Sequence, residues 1–266
     1  DAAGRDGPGC EAESVQEAGK KLIMGAAAVK DELESRSSYV RQINAERDKF
    51  GPMILDLARQ ISGFRAHRIE HIQAFLAEVE RRLARLTDER MVLKGEKFAE
   101  VWPERRLDAM REAAALDREL TALLQSMDPE GPQWEAKNNV KDELAQVVEK
   151  FDVLRPQVDA RVRAKDEVRR RLAAEKVPFD WALLDKIVVS SVGLAKYAMS
   201  MMLSAYDDLS AQIGPSAVTR MEAILERTLR FAFRIHQFAG GFDQHTTELF
   251  SKLNGILSPP EIAAGQ

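Results

Sequence analysis

Cysteine occurs once in the 266 residues, as Cys10. A single thiol excludes a disulfide framework and a cysteine-ligated zinc module, and in its Gly-rich surroundings it fits an idle thiol in a reducing compartment. Aromatic residues make up only 6% of the chain and histidines number four. Excess charge of one sign is also missing: 39 Lys and Arg face 43 Asp and Glu, for a net charge of −4. Even that imbalance is local. Residues 1–34 hold eight acids (Asp1, Asp6, Glu11, Glu13, Glu17, Asp31, Glu32, Glu34) and four bases (Arg5, Lys20, Lys21, Lys30), so residues 35–266 sum to zero. A polyanion such as nucleic acid is therefore not an expected partner. Long apolar runs are scarce. The best membrane-spanning candidate, 187–206, carries Lys196 near its middle with Ser190 and Ser191 before it, which fits a buried amphipathic helix better. The start lacks the charged and apolar regions of a signal peptide, and it lacks Met, as expected of a piece of a longer protein. What is present is 45% hydrophobic and 31% charged residues, a balance unlike that of disordered chains.

The apolar residues recur at alternating spacings of three and four, the period of one helix face. Ile69, Ile72, Leu76, Val79, Leu83 and Leu86 form one run. Val140, Leu144, Val147, Phe151, Leu154, Val158 and Val162 form a second. Val188, Val192, Ala195, Met199, Met202, Tyr206, Leu209 and Ile213 form a third. Val218, Met221, Leu225, Thr228, Ala232, Ile235, Ala239 and Phe242 form a fourth. No comparable stretch alternates with period two, so no sheet is expected.

The breaks have a chemical basis. Gly51-Pro52 is expected to end an N-terminal helix over 14–50, because proline cannot continue the hydrogen-bond ladder. Gly63-Phe64 marks a turn, Trp102-Pro103-Glu104 a helix start, and Asp128-Pro-Glu-Gly-Pro132 a loop. Val177-Pro-Phe-Asp180 separates two helices, with Asp180 placed to cap the second. Gly214-Pro215 is another break, with Ser216 the expected cap. Gly240-Gly241 ends a helix, and Asp243 caps the last one. Pro156 lies inside the second run, whose phase survives across it, so a kink is expected there. The fold class is all-α: an elongated bundle of seven or eight helices. The expected organisation is a tail over 1–13, a single helical domain over 14–257, and a tail over 258–266. The helix over 14–50 is a candidate dimerisation element.

Catalytic and cofactor motifs are weak. His67-Arg-Ile-Glu-His71 fits the inverted zincin pattern H-x-x-E-H. With Ile69 and Ile72 at the inward a and d positions, however, both histidines fall on outer positions and read as a solvated face. His236 and His245 lack the Glu-x-x-His spacing of a carboxylate di-iron bundle, and no phosphate-binding or dinucleotide loop occurs. Ser190-Ser191 suits back-bonding within a helix, and the Met199, Met201, Met202 cluster suits core packing. No cofactor or metal is expected, and the chain does not read as an enzyme.

Charge and aromatic placement suit a partner surface. Residues 155–176 carry eight bases (Arg155, Arg161, Arg163, Lys165, Arg169, Arg170, Arg171, Lys176). Of these, Arg163, Lys165, Arg169 and Arg170 are candidate contacts for an acidic partner such as a cytoskeletal filament. A second basic face holds Arg227, Arg230 and Arg234, beside Phe231 and Phe238 one heptad apart. Arg230, Phe231, Arg234, His236, Gln237 and Phe238 are candidate partner-binding residues, with core packing the competing reading for the two phenylalanines.

The run Arg230-Phe-Ala-Phe-Arg-Ile-His-Gln-Phe-Ala-Gly-Gly-Phe-Asp243 resembles a signature of the plant Chloroplast Unusual Positioning protein family. Other segments resemble that family in the same order: Glu32-Leu-Glu-Ser-Arg-Ser37, Leu86-Thr-Asp-Glu-Arg-Met-Val-Leu-Lys94, Trp102-Pro-Glu104, Asp108-Ala-Met-Arg-Glu-Ala-Ala114, Val177-Pro-Phe-Asp-Trp181 and Lys186-Ile-Val-Val-Ser-Ser-Val-Gly-Leu-Ala-Lys196. Two departures stand out. The link at 95–101 is longer than the family's usual one, and His67 and His71 have no counterpart.

The resemblance implies a C-terminal domain with a fold similar to the formin homology 2 domain. It also implies a role in assembling chloroplast-associated actin filaments for chloroplast movement. Full-length members sit on the cytosolic face of the chloroplast outer envelope through an N-terminal hydrophobic segment, and carry a coiled coil and a proline-rich stretch. Membrane attachment and any recruitment of profilin would therefore belong to parts absent from this chain. Nucleating a filament implies at least two actin contacts, from a homodimer, a higher oligomer or two surfaces. The alternative implied by other relatives is an adaptor that binds microtubules or a signalling protein.

Overall fold

A computed structural model describes the backbone of residues 10–132, 134–210 and 215–258, and the side chains of 36–132, 134–208 and 221–258. Among the described residues there are nine helices and no strand. They are α1 (Cys10–Gly63), α2 (Ile69–Leu83), α3 (Glu89–Leu93), α4 (Glu96–Ala99), α5 (Glu104–Ser126), α6 (Val140–Ala174), α7 (Ala182–Ser210), α8 (Pro215–Ala239) and α9 (Gln244–Leu257). The all-α class is thus as the periodicity requires. Seven helices are long, and α3 and α4 are single turns of 5 and 4 residues inserted between α2 and α5. The contacts divide the chain into two compact units, where the sequence suggested one domain. Of the described residues, those up to 65 and from 75 to 104 form unit 1, and those from 66 to 74 and from 105 onward form unit 2.

In unit 1, α1 corrects the expectation of a helix ending before Gly51-Pro52. It runs for 54 residues with Pro52 inside it. Proline removes one ladder bond, but the apolar face continues on both sides. Phe50, Ile54, Leu57 and Ile61 follow the four-three spacing and are all buried. At about 1.5–3 kcal/mol per fully buried large side chain, this burial outweighs one lost bond. Phe98, on α4, is 1% exposed. Its ring lies 3.7 Å from where a side chain at Gly51 would begin. Phe98 comes from the 95–101 link.

A polar clamp joins α1 to α3. Arg47 donates through Nε to the Val92 carbonyl (3.1 Å) and through Nη2 to the Met91 carbonyl (2.5 Å). Asp88 caps α3 by accepting from the Met91 N–H, and its other oxygen accepts from the Tyr39 hydroxyl at 2.7 Å. The helix begins at Cys10, within the expected tail of 1–13. The side chains of 14–35, which carry most of the expected dimerisation element, lie outside the described residues, as does the 259–266 part of the C-terminal tail.

In unit 2, α7 packs against α6, α8 and α9, and α8 also packs against α6 and α9. By length and composition α7 passes as a membrane span over Ala182–Asp208. Its inner face (Leu184, Ile187, Leu194, Ala195, Ala198, Met199, Met202) is nonetheless buried at 2% exposure or less within the unit. Met199 and Met202 are core residues, and Ser191 is buried with its hydroxyl donated back to the Val188 carbonyl. α6 continues through Pro156 for 35 residues. Its buried stripe of Leu144, Val147, Phe151, Leu154 and Val158 matches the middle of the second sequence run, whose last member, Val162, is instead 51% exposed.

The expected caps of α7 and α9 are present. Asp180 Oδ1 accepts from the Ala182 N–H, and Asp243 Oδ1 accepts from the Thr246 N–H. Gly240 takes φ +76° at the end of α8, where the Gly241 N–H reaches back to the His236 carbonyl. Pro215 opens α8 one residue before Ser216, the expected cap, whose side chain lies outside the described residues.

Candidate interaction surface

The Arg230–Asp243 signature forms the second half of α8 and the turn into α9. Residues 231, 235 and 238 fall on its inner side. Phe231 is 2% exposed and meets Phe151 edge to face at 5.8 Å, and Phe238 meets the same ring at 5.4 Å. Phe231 is therefore a core residue, a correction to its place among the candidate contacts. Its heptad spacing from Phe238 lets both rings grip Phe151, which is fully buried.

The outer side of α8 carries Arg230, Phe233, His236 and Gln237, all exposed. Arg230 pairs with Glu226 along the helix. Arg234 is drawn inward, ion-paired with Asp152 of α6 and placed 5.5 Å from the Phe151 ring centre. The sequence reading passed over Phe233, which is 52% exposed. Its ring is parallel to that of His236 at 6.2 Å, and His236 meets Phe242 edge-on at 4.9 Å. The available signal was its position, opposite the inward phenylalanines on the same helix.

The eight bases of 155–176 separate into distinct environments. Arg161 forms a bidentate pair with Glu119, and Arg171 with Glu112, both on α5. Arg171 also pairs with Glu167, and Arg155 with Asp159. Arg163, Lys165 and Arg169 have no carboxylate partner among the described residues, and Arg170 donates only to the Asp166 carbonyl. Arg163, Arg169 and Arg170 are exposed and Lys165 partly so. The four bases singled out in the sequence are thus uncompensated, as is Lys176 beyond the end of the helix, while Arg161 and Arg171 tie α6 to α5.

His67 and His71 are exposed, and His67 precedes α2 rather than lying on it, so the two do not share a helix face as the motif assumes. Among the described residues no three His, Cys, Asp or Glu side chains are grouped to hold a metal ion. A cleft of about 400 Å³ brings His67, Arg68 and Glu70 beside Asp117, Thr121 and Phe179. Its charged groups are largely engaged: Arg68 pairs with Glu70, and Gln73 donates to Asp117.

One polar group escaped the sequence reading. Glu143, on α6, is 3% exposed and accepts three hydrogen bonds: from Trp134 Nε1 (2.7 Å), the Lys137 N–H (2.6 Å) and the Tyr197 hydroxyl (2.7 Å). Burial pushes its acidity down, but the Lys137 N–H, the Tyr197 and Trp134 donors and the Lys137 charge together outweigh it, and its pKa is lowered. Burial and the Glu143 carboxylate push the Tyr197 hydroxyl up to about 12. Lys150 lies 4.9 Å from the Trp134 ring centre. This network fixes Trp134 and Lys137, which precede α6, against α6 and α7.

A family model described as "IPGAL1-like, C-terminal domain" matches residues 110–263, more than half of the chain and all within unit 2. The chain belongs to this family. It is also similar to a plant protein, "Uncharacterized protein At4g04980" of Arabidopsis thaliana. The two are 26% identical over 233 residues, which cover 86% of this chain and 31% of that protein. The chain thus spans about a third of that relative's length.

Proposed function

We propose that the chain is a non-enzymatic actin-binding domain that promotes filament assembly, in the manner implied by its resemblance to the Chloroplast Unusual Positioning family. The observation that carries this reading is the uncompensated charge of Arg163, Lys165, Arg169 and Arg170 on α6. Ion pairs to α5 on either side, at Arg161 and Arg171, hold that face in place. A rigid basic face suits the steering and registration of an acidic filament surface. The exposed Arg230, Phe233, His236 and Gln237 of α8 offer a second surface, and two surfaces on one chain are one way to supply the two contacts that holding two actin subunits requires. In this reading the full-length protein acts at the cytosolic face of the chloroplast outer envelope, with profilin recruited through segments outside this chain.

Cosedimentation with filamentous actin tests the reading. Binding that weakens with salt and is lost in an Arg163→Glu, Arg169→Glu, Arg170→Glu variant of unchanged helicity is expected. No cosedimentation of the wild-type chain overturns it. Microtubule binding in the parallel assay would favour the adaptor alternative.

A further inference from the structure

A cleft of about 140 Å³ opens in unit 2 between α5, α6 and the start of α7. Leu116, Val168, Leu184 and Ala164 supply apolar lining, and Trp181 and Lys165 also line it. Leu116 is 7% exposed, Val168 9% and Leu184 2%, so this lining is continuous with the core. The bidentate Arg161–Glu119 pair lines it too, as does Glu112, the partner of Arg171. Both carboxylates are therefore ion-paired within the structure, Glu112 sharing Arg171 with Glu167. Two donors at the cleft have no partner among the described residues: the Lys165 ammonium and the Trp181 indole N–H.

We infer that this cleft is an anchor pocket for an acidic protein segment. It takes one large apolar side chain, while a neighbouring carboxylate of the same segment pairs with Lys165 and accepts from Trp181. The size fits: a cavity of about 150 Å³ holds a benzene-sized group. The charge fits as well, because Lys165 is the one charged lining residue without an ion-pair partner among the described residues, and Arg163 and Arg169, also without a carboxylate partner there, lie two and four residues away on α6. A buried apolar anchor ringed by fixed polar pairs is the arrangement in which a single residue dominates binding. The inference deepens the actin reading by supplying its basic face with a specific contact, but the pocket's chemistry does not depend on which acidic protein enters it.

The test uses the full chain and a capped peptide, Asp-Glu-Phe-Glu-Asp, with an Ala-for-Phe peptide and a Lys-Lys-Phe-Lys-Lys peptide as controls. The readout is the indole N–H resonance of Trp181, with those of Trp102 and Trp134 as internal references. The acidic Phe peptide is expected to shift Trp181 alone, and both controls to leave it in place. The peptide's affinity should fall about tenfold or more in Lys165→Glu and in Ala164→Trp, which fills the cleft. Ala115→Leu, from α5, serves if Ala164→Trp loses helicity. An unmoved Trp181, an equal shift by the Ala peptide, or unchanged affinity in the filled variant overturns the pocket. The two readings fail separately. A Trp181 shift with no actin cosedimentation leaves the pocket and removes actin. Actin binding unaffected by Lys165→Glu and Ala164→Trp leaves actin and removes the pocket as its contact.

Discussion

The Tyr197 hydroxyl donates to Glu143 Oε1 at 2.7 Å across 54 residues of chain, joining α7 to a carboxylate on α6 that is almost wholly buried. Hydrogen bonds to a buried charge are worth about 1.5–3 kcal/mol each. Tyr197→Phe is expected to lower unfolding free energy by about that amount, measured by urea denaturation. Glu143→Ala orphans three donors at once and is expected to cost more, about 3–5 kcal/mol.

The same pair sets opposite pH limits. Glu143 has a lowered folded pKa, so its stabilisation is complete above the unfolded carboxylate value and is lost as pH falls through the folded one. Tyr197 has a folded pKa raised to about 12, so its contribution is complete below the usual tyrosine value near 10 and is lost as pH rises toward 12. Glu143→Gln should flatten the acid limb of a stability–pH profile. Tyr197→Phe should remove the latest-titrating phenol from an ultraviolet titration. Loss of a phenol that titrates near the usual value of about 10, with the late one retained, would contradict the assignment.

In α1, Gly51 and Pro52 sit where a better helix former would serve. A Cβ at Gly51 would meet Phe98 at 3.7 Å, an ordinary contact. Gly51→Ala is expected to stabilise by about 0.5–1 kcal/mol. Pro52→Ala, at an exposed site, restores a ladder bond and is expected to add about 1–3 kcal/mol. Gly240→Ala should do the reverse, costing about 1–2 kcal/mol because its φ of +76° penalises a side chain. Thermal unfolding of the three variants checks the signs.

These cases show what the sequence could reveal. The buried stripe of α6 was legible because helix burial imposes its own period, and Asp180 and Asp243 were legible as caps because capping is local. The end assigned to α1 at Pro52 was not, because the burial of Phe50, Ile54, Leu57 and Ile61 overrides a local breaker. Glu143 was missed because its partners come from a loop and from another helix. Its one local trace is its position, three residues after Val140 and four before Val147, on the stripe that is otherwise apolar. On α6 the basic run was visible as composition, but which bases were already paired depended on Glu112 and Glu119 of α5.

That division predicts two phenotypes within one helix. Arg161→Ala and Arg171→Ala break bidentate pairs to α5 and are expected to cost about 0.5–1 kcal/mol of stability. Reversing Arg163 and Arg169 should leave the unfolding midpoint within about 0.5 kcal/mol of the parent and remove partner binding instead. Denaturation and cosedimentation on the same four variants separate these outcomes.

The most direct test of the central claim is the lag of actin polymerisation followed by pyrene fluorescence, with purified chain titrated in, with and without profilin. The account predicts a lag that shortens with chain concentration, and a shortening that disappears when Arg163, Arg169 and Arg170 are changed to Glu. A lag unchanged at every concentration in both conditions would contradict it.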